Sequence, residues 1–195
     1  LHIDQIKSLK PDLIIANKEE NVQEQVASLA NDFSVWVTDV FDLPSALQMI
    51  DDIGKLTNRI SSATSIRNKI ESDFSSIKKT EPLLPAAYLI WNEPLMTIGQ
   101  NTFIHDMLLR AGFRNVFEEL KRYPVITIED LQNSGCKHLL LSSEPFPFGQ
   151  KHVDKFQQLL PDTQIQIVDG ELFSWYGSRL LYSSAYFKKL RIDCQ

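Results

Sequence analysis

IDQIKSLKPDLIIANKEENVQEQVASLANDFSVWVTDV, residues 3–40, reads as helix, strand, polar turn, helix, strand. Residues 128–169, IEDLQNSGCKHLLLSSEPFPFGQKHVDKFQQLLPDTQIQIVD, repeat that order. Ile3 aligns with Ile128, Leu13-Ile14-Ile15 with Leu139-Leu140-Leu141, and Glu19 with Glu144 after one inserted residue. Within the first copy, Ile3, Ile6 and Leu9 have helical spacing, and Pro11 ends that helix near Lys10. Asp12 to Ala16 is a short apolar run of the kind buried in parallel sheets. Val22, Val26 and Leu29 mark a second helix, with Asn21 as expected N-cap and Glu24 completing a capping box. Ser34 to Val40 is a β-branched strand. Helices between such strands imply right-handed crossovers and a parallel sheet. A duplicated unit of this kind predicts an α/β chain with two lobes and a ligand held between them.

Between the copies, from Pro44 to Lys79, there is no further proline and one glycine, Gly54. Leu47, Ile50, Ile53, Leu56, Ile60, Ala63, Ile66, Ile70, Phe74 and Ile77 recur in steps of three and four, the pattern of one helix face. The spacing predicts one long backbone helix joining the lobes, roughly 50 Å at 1.5 Å per residue. Its start falls at Asp42 or Ser45, and the competing reading breaks it around Ser61-Ser62. The expected organisation is a partial N-terminal lobe over 1–42, the connecting helix over 43–80 and a C-terminal lobe over 81–195. The C-terminal copy has about 40 residues ahead of it, Ala86 to Thr127, whereas Leu1 opens the first copy almost at once. The N-terminal lobe is therefore expected to be incomplete, the chain being trimmed at its start and its lack of a signal peptide uninformative.

Composition narrows the function. A formal net charge of −5 with scattered lysines argues against nucleic acid, which needs a clustered basic footprint. Cys136 and Cys194 make no metal-ligand spacing, and a disulfide between them is open. No apolar run spans a bilayer. The four histidines sit away from the strand ends, and no nucleophile elbow, zincin, phosphate-loop or dinucleotide motif occurs, so no catalytic residue is assigned.

Ligands of open parallel sheets bind beyond the carboxyl ends of the strands. Those positions carry Asn17 after the first strand, Trp91-Asn92-Glu93 after AAYLIW, Glu144 to Phe148 after HLLL, and Phe173 to Arg179 after IQIVD. The rim so defined gathers Trp91, Phe146, Phe148, Phe173, Trp175 and Tyr176, with Arg179 opening the last helix. Aromatic faces with one fixed cation suit a large conjugated ligand bearing some negative charge.

LKPDLIIANKEEN, IGQNTFIHDMLLRAGFRNVF and DGELFSWYGSRL, in that order around the helical middle, resemble the class III periplasmic binding proteins. These are the helical-backbone receptors for cobalamin, ferric siderophores and haem that feed ABC importers. The resemblance implies no intrinsic cofactor, passive capture of a metal chelate as a monomer in the periplasm or cell envelope, and delivery to a membrane permease. It implies ligand contacts at Asn17, Trp91, Asn92, Glu93, Phe146, Phe173, Trp175, Tyr176 and Arg179. It also implies acidic permease contacts at Glu20 or Glu24 in the first lobe and Glu144 in the second, Gln23 standing at the aligned first-lobe position. The cobalamin receptors carry tryptophan where this chain has Asn17 and an aromatic where it has Leu172, which leaves siderophore, haem or another corrinoid open. The alternative is an α/β enzyme or a sensor built on the same design. A fold-back of the segment from Pro44 to Lys79 would count against the transport reading itself, which at this point rests on a rigid spine between lobes.

Overall fold

The structure, a computed structural model, describes residues 1–78 and 81–194. They divide into two compact units, Leu1–Val40 and the chain from Phe41 onward. The first contains α1 (Ile3–Ser8), β1 (Ile14–Asn17), α2 (Gln23–Ala30) and β2 (Val35–Thr38). The strands pair in parallel, Ile14 opposite Val35 through Asn17 opposite Thr38, so α2 is a crossover. α1 stops close to the expected point, ending at Ser8 with Leu9 as its C-cap: Lys10 takes φ 48° ahead of Pro11, and Leu9 is left exposed. The N-cap of α2 is Val22, not Asn21. The Asn21 side chain is diverted, accepting the amide of Asn17 at 2.8 Å, so the expected capping box does not form.

The long backbone helix is overturned. α3 (Leu43–Leu56) and α4 (Ile60–Ser75) are separate helices that pack on each other. Asp51 of α3 lies 3.4 Å from Arg67 of α4, residues that one straight helix would hold about 24 Å apart. The local stop signal is at Asn58. That residue takes φ 54°, the Arg59 amide reaches back to the Gly54 carbonyl at 2.7 Å, and the Asn58 amide to that of Lys55 at 3.2 Å, a Schellman stop. Close packing then fixes the corner, since a Cβ on Gly54 would fall 2.3 Å from the Cβ of Ala63. Leu56 and Ile60, which carried the apolar periodicity across the break, are exposed. At the start, Asp42 is the N-cap, in a reciprocal box with Ser45 and with Pro44 in the first turn. The far end of the expected connecting helix, Lys79 and Thr80, lies outside the described residues.

The second unit is built on β3 (Leu84–Trp91), β4 (Met96–Thr97), β5 (Phe113–Asn115), β6 (His138–Ser142) and β7 (Gln164–Val168). The order is β4-β3-β6-β7, with β5 parallel to the start of β3 and β4 antiparallel to its end. β3, β6 and β7 run parallel. α5 (Phe103–Arg110) begins at the Thr102 cap and is closed by Gly112, which takes φ 87° as its C′ residue. α6 (Ile128–Asn133) and α7 (Gln150–Leu159) cover one face of the sheet, where Leu131 and Phe156 meet Ala87, Leu89, Leu139 and Leu141. On the other face Tyr88 packs on Phe173 (5.1 Å between centroids), Phe173 on Phe187 of α9 (Leu180–Asp193), and Phe187 on Phe74 of α4. Cys136 and Cys194 are both buried free thiols. No helix among the described residues is long and apolar enough to cross a membrane.

Candidate functional site

Three loops at the carboxyl ends of β3, β6 and β7 form one wall of the second unit. A buried relay sets the middle loop. Tyr88, whose hydroxyl is pushed well above the ordinary tyrosine range by burial, stays a donor and gives its proton to Ser142 Oγ at 3.1 Å. Ser142 Oγ in turn donates to the Glu144 carbonyl at 2.5 Å. The third loop is pressed against the second through Gly170. A Cβ there would meet Ser142 Oγ at 2.4 Å and Glu144 Cγ at 2.6 Å, so only glycine permits the approach. The Gly170 amide donates to Ser143 Oγ, and the Asp169 amide to Tyr186 OH, a hydroxyl that burial also pushes upward. After Gly170 the chain forms the short α8 (Glu171–Ser174) and leaves it at Trp175.

The Glu144 carboxylate joins the two loops. Its Oε1 accepts the indole N–H of Trp175 at 2.8 Å and lies 2.8 Å from Ser174 Oγ. Ser174 has one hydroxyl proton and the Gly170 carbonyl also lies 2.9 Å away, so it can serve only one of two acceptors at a time, while the indole has one. Trp175 itself is 53% exposed. An open pocket of about 470 Å³ lies beside this contact, lined by Ser143, Glu144, Ile167, Val168, Asp169, Glu171 and Arg179.

Other expected rim residues divide between wall and core. Trp91 closes β3, rests on Phe146 at 5.6 Å and donates its indole N–H to the Glu93 carbonyl. Phe146 is half-buried against Phe148 and His152. Asn92 is half-buried in the following turn and Glu93 is exposed. Tyr176 turns inward onto Phe103 at 5.3 Å. Phe173 is corrected from rim to core: it has no exposed surface and sits in the aromatic stack behind the wall, and Phe148 is likewise buried. Apolar side chains beside a sheet end are drawn under it whenever a helix covers that face, as α9 does here.

Arg179 is held in place by acidic neighbours. Its guanidinium lies 2.9 Å from Glu171 and 3.5 Å from Asp169, and above the Tyr182 ring. Three carboxylates and one guanidinium line the pocket, so its formal charge is acidic. In the first unit, Asn17 Oδ1 accepts the amides of Glu19 and Glu20, fixing the turn after β1. Glu20 and Glu24 are both exposed. Sequence reasoning passed over Tyr88, Ser142 and Ser174. A tyrosine inside one apolar strand and a serine at the end of another were the only signal, and neither shows its partner. Among the described residues no cluster of three His, Cys, Asp or Glu is arranged to hold a metal ion.

Parallel strands with crossover helices and an aromatic wall at their carboxyl ends define a ligand-binding α/β protein. The family model for periplasmic binding proteins matches residues 1–158, and the chain belongs to that family. Its role is that of a substrate-binding protein in transport. A vitamin B12-binding protein of Pectobacterium carotovorum subsp. carotovorum (strain PC1) is 23% identical over 195 residues, covering 94% of this chain and 68% of that protein. Among solved structures, the apo periplasmic haem-binding protein of Roseiflexus sp. RS-1 superposes with a TM-score of 0.80 at 17% identity, over 100% of this chain and 79% of that one. The periplasmic vitamin B12-binding protein of Vibrio cholerae gives 0.76 at 16% identity, again over 100% and 79%. These likenesses confirm the α/β fold and the family resemblance read from the sequence.

Proposed function

We propose that this chain is the substrate-binding component of an ABC importer. It captures a metal chelate (cobalamin, a ferric siderophore or haem) in the periplasm or cell envelope and delivers it to a membrane permease. The observation that carries the reading is the Trp175 indole, an aromatic face more than half open to solvent yet anchored by Glu144 at the strand ends. A flat conjugated ligand gains most from such a face, because its area is large and its freedom already reduced. Trp91 on Phe146 offers a second platform on the neighbouring loop. The straight spine no longer supports the idea; the family match and the wall do. The chain acts as a monomer without catalysis or intrinsic cofactor. Glu20 or Glu24 in the first unit, with Glu144 in the second, meet basic groups of the permease. Arg179 recognises an anionic ligand group by exchanging one of its own carboxylates for it, so Arg179→Ala weakens binding less than loss of the indole.

The test is tryptophan fluorescence, titrated separately with cyanocobalamin, hemin and ferrichrome. Saturable quenching by one of them is expected, with Trp175→Ala lowering affinity about tenfold, the equivalent of 1.4 kcal/mol. Flat titrations with all three would remove the proposal.

A further inference from the structure

We infer that Glu144 is a positioning residue of the ligand wall: its carboxylate holds the Trp175 ring in its binding orientation. The inference deepens the transport reading and rests on it for the ligand. The geometry of the contact stands without it. Trp175 leaves α8 with φ −90° and ψ 107°, and Gly177 follows two residues later, so little in the local backbone restrains the ring. Its exposed faces give it few packing partners. One directed bond remains, from indole N–H to Glu144 Oε1 at 2.8 Å.

Glu144 is itself rigidly placed. Its carbonyl takes the Ser142 hydroxyl, its Cγ abuts Gly170, and Ser174 Oγ approaches the same carboxylate oxygen. These neighbours lie at the end of β6 and in the segment that follows β7. Ordering a large side chain at an interface costs binding free energy unless it is ordered beforehand. A carboxylate that pins the indole in the unliganded protein meets that cost in advance. The docking role read from the family resemblance and this one fall on the same side chain. Removing Glu144 therefore affects capture as well as delivery.

Glu144→Ala and Glu144→Gln separate the two roles, because the glutamine amide oxygen still accepts an indole N–H whereas alanine cannot. The readouts are the indole ¹⁵N–¹H resonance of Trp175 in the unliganded protein, assigned with Trp175→Phe, and fluorescence affinity for the probe that the wild type binds. In Glu144→Ala the resonance moves to the position of a water-exposed indole and affinity falls roughly three- to tenfold. In Glu144→Gln both stay close to wild type. An unmoved resonance in Glu144→Ala, or equal damage by both variants, overturns the inference. If the wild type binds none of the probes, the transport reading fails, and the resonance alone decides whether Glu144 holds the ring.

Discussion

β1 and β6 carry the same kind of short apolar run, yet Ile15 is 45% exposed while Leu139, Leu140 and Leu141 have no exposed surface. Both strands follow a helix, both precede a crossover helix, and both pair in parallel with the next strand. The difference lies in what surrounds them. β6 is held between β3 and β7, with α6 and α7 on one face and the Phe173–Phe187 stack on the other. β1 pairs with β2 alone among the described residues. Pattern selects the type of element, and neighbours decide how much of it leaves water.

The sharpest way to break this comparison is to delete the same volume from each strand. Leu140→Ala is expected to cost the second unit about 2–5 kcal/mol, because the cavity cannot collapse between two covered faces. Ile15→Ala removes a side chain already half in water and should cost the first unit less than about 1 kcal/mol. Urea unfolding followed by unit-specific probes measures both, and equal losses would mean that burial does not separate the two copies.

A smaller effect is expected at the helix corner. Gly54→Val places a side chain into Ala63 and should destabilise the second unit by about 1–3 kcal/mol through overpacking. Gly149→Ala, where an added Cβ meets nothing within 4 Å, serves as the control. Indifference to Gly54→Val would mean that the two helices do not need their close approach.

The smallest effect is in pH. Burial, and then the nearby Arg191 charge, hold the His138 imidazole below its ordinary value of 6.5, and burial does the same to His105. Below 6.5 the unfolded chain binds protons that the folded unit refuses, so stability is complete above that pH and declines as pH falls beneath it. Thermal unfolding at pH 7 and pH 5.5 should show a decline that is shallower in His138→Gln. Parallel declines in the two proteins would show that His138 is not a source.

Much of the second unit was readable from residues alone. Residues 128–169 repeat the order of 3–40, and α6, β6, α7 and β7 follow it, because periodicity acts between residues adjacent in sequence. β4 and β5 were invisible: strands of two and three residues exist only through hydrogen bonds that β3 supplies. The break between α3 and α4 was masked, since Leu56 and Ile60 keep helical spacing across it, although Gly54 and Asn58 were the residues to weigh. At the site, the aromatic-rich loops were located correctly by strand order. Which rings face water, and that Arg179 is engaged by Glu171 and Asp169, were not legible.

The order of the main parallel strands with their crossover helices, and the family, therefore follow from the sequence, because propensity, capping and periodicity act over a few neighbouring residues. The corner at Asn58, the burial of Phe173 and the bond from Trp175 to Glu144 belong to the tertiary structure. Each of the last two depends on groups distant in the chain that meet only once the sheet is assembled. The corner needs Ala63 pressed against Gly54 to make a local stop signal prevail over an uninterrupted apolar stripe.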